Sequence, residues 1–518
     1  MSALRVKSRL GIFKSRLLMT SIMTLSCLAG SSAYTDAQTT TVTVSNTVQA
    51  AGIDRPGINL GGLAAYGPQQ LFKSLNYAGG GYMPGTYWGS TFQCSLGGTN
   101  NPTSWYNNIT NSNGYRANWW AGATFVAINA ATGTSYGSGT VTASTANTSA
   151  GTTFTLSPAL SSVCNPSRND VLIVRLNAAN SNYTPNQVDN GICSSATWNT
   201  ADTSPASTNT RQSLNMPTGC TASFGIDAVL RNATNTNPKL TSTYVPWINL
   251  NGNYSASFKA KCLSSRCSIS YSLARTSGGT TYVTSTVVNP MYNTTPGAGW
   301  NTYTNNFTAS ETGSQTSALY YNFTCTGTCL LQDADVIESS TLAGNTTVFR
   351  DAVVYELQKI HPGSIRYMDG TQWCSDVEDQ IAASGNRRWC GASEYVNWLE
   401  GPPIGYNDVL ALANFIGSDA WISVGLLNQA SDWTTLINWL NSSGWTSTFA
   451  ASGHKIYLED GNEAWNTGVP ATLFQGNGLA YGYTLGLNMA AAKAANGYNG
   501  VVIKLVADGW ATGTQGYG

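Results

Sequence analysis

The sequence predicts a multidomain chain that joins an α/β unit to all-β domains. Three observations carry this. From Thr346 onward, apolar residues recur at helical spacing and alternate with short apolar runs. From about Gly80 to Gly344 that periodicity is absent, and short alternating segments stand between Gly, Asn, Pro and Ser. A lone apolar run around Ile58 precedes both. Alternating helix and strand implies parallel βαβ units. The middle region follows the pattern of antiparallel β structure.

Taken in order, Arg5, Lys7, Arg9, Lys14 and Arg16 precede an apolar, small-residue stretch over 17–30 and a Ser-Ser-Ala at 31–33. This predicts a secretory signal peptide over 1–33 and a secreted protein, extracellular or periplasmic. Thr24 stands three residues before Cys27, where a lipoprotein signal wants Leu. No later stretch reaches 18 apolar residues, so no membrane span is expected. Residues 34–80 hold an N-terminal segment, with a strand or linker over 39–48, and then a first strand in the run GINLGG, with Asn59 at its open end.

Residues 81–204 read as one inserted β domain, with strands near 123–130, 152–156 and 171–176. Residues 205–340 read as a second. There Tyr254, Ala256, Phe258 and Ala260 alternate, as do Ile269, Tyr271 and Leu273, and then Leu319, Tyr321 and Phe323. The run Leu331, Asp333, Asp335, Ile337 closes it.

Residues 345–518 return to α/β grammar. Phe349, Val353, Leu357 and Ile360 lie on one helical face, ended by Pro362 and Gly363. A strand SIRYM follows at 364–368. Val409, Leu412, Ala413 and Ile416 give a second face, and 420–424 a strand. Ser431 suits an N-cap before Trp433, Leu436, Ile437 and Leu440. Residues 456–458 form the next strand. Leu479, Tyr483, Leu487 and Ala491 give a fourth face, and 501–507 a last strand.

The stretch HKIYLEDGNEAWN over 454–466 organises the rest. A buried strand that runs at once into acidic and amide residues is what an α/β sheet shows where it opens onto a site. Asn-Glu alone is unspecific, and a surface loop gives the same dipeptide. With the strand, Gly461, Asn462, Glu463 and Trp465 in this order, the stretch resembles the acid/base motif of the retaining (β/α)8-barrel glycoside hydrolase clan.

The resemblance implies an incomplete (β/α)8 barrel, strands 1 to 5, with β-sandwich domains inserted after strand 1. Counting from Ile58, Glu463 follows the fourth strand, its place in that clan. The resemblance also implies that Glu463 protonates the leaving sugar oxygen and that Asn462 holds the 2-hydroxyl. Arg366 would stand near the nucleophile; an ordinary ion pair is the alternative. The run from Phe349 to Met368 is similar to arabinofuranosidase-like members. Where those read Pro-Gly-Gly, this chain has Met368-Asp369-Gly370. Trp465 and Trp510 are candidate stacking platforms. The clan's nucleophile is a Glu on a seventh strand, expected beyond Gly518, so residues 1–518 read as truncated. Asp369, Glu459 and Asp460 are the nearby carboxylates, without motif support. Residues 205–340 resemble the jelly-roll carbohydrate-binding modules of families 4 and 9. Because the insert occupies a βα connection, it leaves from the same rim as Glu463.

Composition bounds the rest. Charged residues are 10% and the net charge is zero, against about 25% charged in ordinary domains. That excludes the basic surface that nucleic acid requires. An uncharged polar surface with 11% aromatics suits polysaccharide or oligosaccharide partners. No cofactor and no metal are expected, because two histidines and no CxxC pair offer no zinc pattern.

Of the 11 cysteines, all but Cys27 lie in the mature chain, an even set that predicts disulfides. Spacing suggests Cys262–Cys267, Cys325–Cys329 and Cys374–Cys390, which leaves Cys94, Cys164, Cys193 and Cys220. The functional reading is a secreted retaining O-glycoside hydrolase. The alternative is a non-catalytic extracellular carbohydrate-binding protein or a surface adhesin.

Overall fold

The computed structural model of the chain describes residues 57–59, 72–75, 89–94, 104–106, most of 117–175, 193–225 and 249–367, and then 377–382, 405–426, 428–462 and 478–507. The signal segment, the segment 39–48, and Cys374 and Cys390 lie outside the described residues. The fold is β-rich and multidomain; the described residues form one parallel sheet, two antiparallel sheets and one small closed barrel.

β1 (Ile58–Asn59) comes first. Then β2 (Gly89–Cys94), β3 (Ser104–Tyr106), β4 (Thr124–Ile128), β5 (Ser135–Ser144), β6 (Thr152–Ser157) and β7 (Val171–Arg175) close an antiparallel barrel in the order β2-β3-β6-β5-β4-β7. Closure leaves no bare sheet edge. Trp120, Phe125, Val141, Phe154, Leu172 and Val174 fill it. The Cys94–Cys164 disulfide ties β2 to the segment before β7.

Next come β8 (Thr197–Asn199), β9 (Ser213–Met216), β10 (Thr221–Gly225), β11 (Asn251–Cys262), β12 (Ser268–Arg275), β13 (Thr281–Val288), β14 (Asn301–Ser310), β15 (Leu319–Cys325) and β16 (Cys329–Glu338). They form two sheets, β10-β15-β12-β13 and β14-β11-β16-β9-β8. β8 brings residues ahead of 205 into this unit. Alternation sets the packing: every second residue of β12 (Ile269, Tyr271, Leu273, Arg275) is buried. Phe258 on β11 meets Tyr271 and Phe323 edge-on at 4.8 and 4.9 Å, across the two sheets. Cys193–Cys220, Cys262–Cys267 and Cys325–Cys329 are bridged. The last two pairs are as their spacing suggests.

The run Leu331, Asp333, Asp335, Ile337 lies on β16, and its residues do not share one face. A bulge lies there, with Asp333 at φ 52°, and the register against β11 jumps between Ser257 and Lys259. Leu331, Ala334 and Val336 are buried, and Ile337 is turned outward.

α1 (Asp351–Ile360), β17 (Ser364–Tyr367), α2 (Val377–Ile381), α3 (Tyr406–Ile416), β18 (Asp419–Val424), α4 (Ala430–Ser442), α5 (Trp445–Ser452), β19 (Ile456–Asp460), α6 (Gly478–Ala494) and β20 (Ile503–Ala507) complete the chain. β1-β17-β18-β19-β20 is a five-stranded, all-parallel sheet in sequence order. The expected incomplete (β/α)8 barrel is not shown: among the described residues these five strands form a parallel sheet, and the closed barrel there is the small antiparallel one.

Three helix details differ from the sequence reading. Phe349 precedes the N-cap Arg350 and is buried by pairing with Phe72, while Ile360 is exposed. α4 is capped two residues earlier than Ser431, at Gln429: the Asp432 carboxylate accepts from the Gln429 N–H at 2.7 Å. α6 turns a different face inward. Leu479 and Leu487 are exposed, and Tyr481, Asn488 and Ala492 are buried. Polar bonds fix that rotation: the Tyr481 hydroxyl donates to the Asp460 carbonyl, and Asn488 Nδ2 to the Asp460 carboxylate and the Asn428 carbonyl.

Both β units are tied to helix N-termini of the α/β unit. Arg175 on β7 pairs with Asp432 in the first turn of α4. A Cβ on Gly133, in the β4–β5 turn, would stand 2.6 Å from the Leu479 carbonyl at the start of α6. Residues 72–75 bridge the sandwich and α1, with Phe72 in the α/β core and Leu75 in the sandwich core. The Lys73 N–H donates to the Val348 carbonyl, and the Lys73 carbonyl accepts from the Glu338 N–H, both at 2.8 Å. Helix N-termini that follow parallel strands lie at the strands' C-terminal edge, so these ties stand on the edge that carries Asn462.

Candidate functional site

The parallel sheet has two unlike faces, and strand alternation makes them so. Ile365, Ala420, Ile422, Val424, Ile456, Leu458 and Ile503 point into the core built with the helices. The intervening positions carry Arg366 on β17, Trp421 and Ser423 on β18, and Tyr457 and Glu459 on β19. Register brings them side by side: Arg366 with Trp421, Trp421 with Tyr457, Ser423 with Glu459. The helices take the apolar face, and the opposite face is polar towards the strands' C-terminal ends.

Glu459 is the hub. Its Oε2 accepts from Arg366 Nη2 at 2.7 Å and Nε at 3.2 Å, from Ser423 Oγ at 2.7 Å, and from Trp421 Nε1 at 3.0 Å. The carboxylate side chain is 7% exposed and Arg366 27%. Burying a carboxylate without such partners costs several kcal/mol, so the donor set explains how Glu459 can sit there. The guanidinium also lies over the Trp421 ring at 5.8 Å, and Trp421 stacks on Tyr457 at 5.3 Å.

Arg366 Nη2 reaches further, to Asn462 Oδ1 at 2.9 Å. Asn462 is 3% exposed, and its Nδ2 is buried with no hydrogen-bond partner among the described residues. Gly461 makes this placement. Its φ is +94°, its N–H donates to the Val424 carbonyl at 2.7 Å, and a Cβ there would lie 2.4 Å from Leu426 Cδ2. Only glycine adopts that conformation freely.

The sequence-predicted residues are therefore partly assembled. Arg366 and Asn462 meet directly. The Asn59 backbone is in register with Arg366, one strand away. Glu463, Trp465 and Trp510 lie outside the described residues, as does Asp369. Arg366 pairs with Glu459 and donates to Asn462, so the ion pair named as an alternative is present. Asp460 falls on the helix side of β19, bonded by Asn488. Sequence reading passed over Trp421, Ser423 and Tyr457. Their signal was legible as polar or aromatic residues alternating with Ala420, Ile422, Ile456 and Leu458 on strands next to Arg366.

Among the described residues there is no group of three or more His, Cys, Asp or Glu side chains placed to hold a metal ion. Nor is any of their helices long and apolar enough to cross a membrane.

No protein-family model matches the chain, and no curated protein matches its sequence. Solved structures resemble it in part. The arabinose-bound α-L-arabinofuranosidase MgGH51 is 13% identical, with a TM-score of 0.40, over 62% of this chain and 53% of that one. The chain thus spans about half the length of that enzyme. The xylohexaose complex of the paired CBM22-1 and GH10 modules of Clostridium thermocellum xylanase 10B is 10% identical, with a TM-score of 0.24, over 60% of this chain and 65% of that one. A carbohydrate-binding module from Cellvibrio mixtus lichenase 5A, in complex with cellotriose, is 11% identical, with a TM-score of 0.18, over 29% of this chain and 92% of the module.

Proposed function

We propose that the chain belongs to a secreted glycoside hydrolase that cleaves O-glycosidic bonds of polysaccharide with retention, of arabinofuranosidase-like type on an incomplete (β/α)8 barrel. The observation that carries this reading is the Glu459–Arg366–Asn462 chain of bonds, which holds a buried asparagine directly before Glu463 at the end of β19.

Glu463 acts first as general acid toward the leaving sugar oxygen, then as general base for the water that releases the glycosyl group. That first role requires a carboxyl group that stays protonated until the leaving group departs. Asn462 donates to the sugar 2-hydroxyl. Arg366 and Asn59 are assigned to substrate binding, and Trp465 and Trp510 to stacking on sugar faces. The nucleophile is a second carboxylate about 5–5.5 Å from the first, as retention requires.

The test is proton NMR of the full-length protein acting on 4-nitrophenyl α-L-arabinofuranoside. The first anomer released should keep the configuration of the substrate. An inverted first product, or no release, contradicts the reading.

A second reading, a non-catalytic carbohydrate-binding protein, is favoured by the outer face of the β10-β15-β12-β13 sheet. Ser223 donates to Asn322 at 2.7 Å, Asn322 to Ser272 at 3.5 Å, and Ser270 and Thr286 share a bond at 3.1 Å. This uncharged hydroxyl and amide row suits a sugar chain. Glycan-array binding lost in an Asn322→Ala variant, with no hydrolysis by either protein, would favour this reading.

A further inference from the structure

Asn462 has one face occupied and one left over. Arginine carries five N–H donors and no acceptor and stays protonated. The amide atom that meets Arg366 Nη2 at 2.9 Å must therefore be the oxygen. An asparagine amide is otherwise ambiguous by a half-turn, and here its partner's chemistry removes the ambiguity. Arg366 in turn cannot swing freely, because two of its nitrogens are held on Glu459 Oε2, and that oxygen is held by Trp421 and Ser423. Asn462 Nδ2, buried and without a partner among the described residues, is what remains for a ligand.

We propose that the Glu459–Arg366 pair is an orientation lock that makes Asn462 a donor only toward its ligand. The contacted position must then offer an acceptor, a hydroxyl or ether oxygen, and a group that can only donate is rejected. Glu459 is thus a positioning residue that sets specificity through Arg366 without touching the sugar. Trp421 and Ser423 support it one step further out. The inference rests on the sugar reading above for the identity of the ligand, but the lock itself rests on the hydrogen bonds.

The test measures binding of 4-nitrophenyl 1-thio-α-L-arabinofuranoside, which resists hydrolysis, by calorimetry on the full-length protein. Two analogues replace the 2-hydroxyl: fluorine, which only accepts, and protonated amine, which only donates. The lock predicts that the fluoro analogue binds about ten- to hundredfold more tightly than the amino analogue, the cost of an unmatched buried donor. In the double variant Glu459→Gln, Arg366→Met, which leaves the net charge unchanged, this preference should shrink to less than about threefold. Ser423→Ala, a milder change that leaves both charges in place, should give an intermediate preference and stands in if the double variant does not fold.

Equal binding of the two analogues by the parent protein, or a preference undiminished in the variants, overturns the lock. If the parent binds none of the three compounds, the arabinofuranoside reading fails instead. The lock is then decided by crystal structures of the parent and the Ser423→Ala, Trp421→Phe protein. An Asn462 amide turned or split between two orientations in the variant supports it. An unchanged Arg366–Asn462 bond overturns it.

Discussion

At the scale of single residues, Gly461 decides whether Asn462 reaches its place. Its φ is positive, and a Cβ there would lie 2.4–2.6 Å from the Leu426 side chain, which would have to shift. Gly461→Ala should cost about 1–3 kcal/mol through backbone strain, read as a shifted midpoint in urea unfolding. Unchanged stability would show that the turn relaxes without effort. Asp351 is a second such residue. It opens α1 and accepts from Ser340, the Thr341 and Leu342 N–H groups, and Asn345. Burial alone would raise its pKa, but these bonds outweigh burial and hold it below its usual 3.8. A depressed folded value means that its contribution is fully present above 3.8 and lost as pH falls through the folded value. Asp351→Asn should therefore lower stability near neutral pH and flatten its further decline below about pH 4. An acid limb identical to that of the parent would contradict this.

At the scale of elements, alternation and periodicity say which residues are buried only where nothing local interrupts them. β12 follows its pattern throughout. β16 does not, because the bulge at Asp333 moves the inward set by one residue, and no proline or glycine marks that spot. α6 has so many small residues that two faces looked alike in sequence. Side-chain bonds to Asp460 and Asn428, which no periodicity reveals, choose between them. The disulfides divide by loop size. Cys193–Cys220 spans 27 residues, and Cys325–Cys329 spans 4. Chain entropy assigns about 3–4 kcal/mol to the first and about 2 to the second. Serine replacement of the first pair should therefore lower the unfolding midpoint of the sandwich more than replacement of the second. The reverse order in calorimetry would point to native-state packing, not chain entropy, as the source of stability.

At the scale of the whole molecule, the two β units and the polar sheet face share one edge. Arg175–Asp432, Gly133 against Leu479 and the strap at 72–75 are bonds and contacts that no sequence pattern announces, since each joins residues far apart in the chain. The edge itself was legible, because an insertion in a βα connection has to leave from the strands' C-terminal ends. Arg366 and Asn462 were singled out from the sequence, while Glu459 as their common anchor was not, because its importance lies in four donors brought from two other strands, β17 and β18. The proposed role of Glu463 as the acid of glycoside cleavage is tested by turnover of Glu463→Gln in the full-length protein. A loss of at least about a hundredfold on an arabinan with poor leaving groups is expected. The loss should be much smaller in the glycosylation step for an activated aryl glycoside, which needs little protonation. Equal, small losses on both substrates would contradict it.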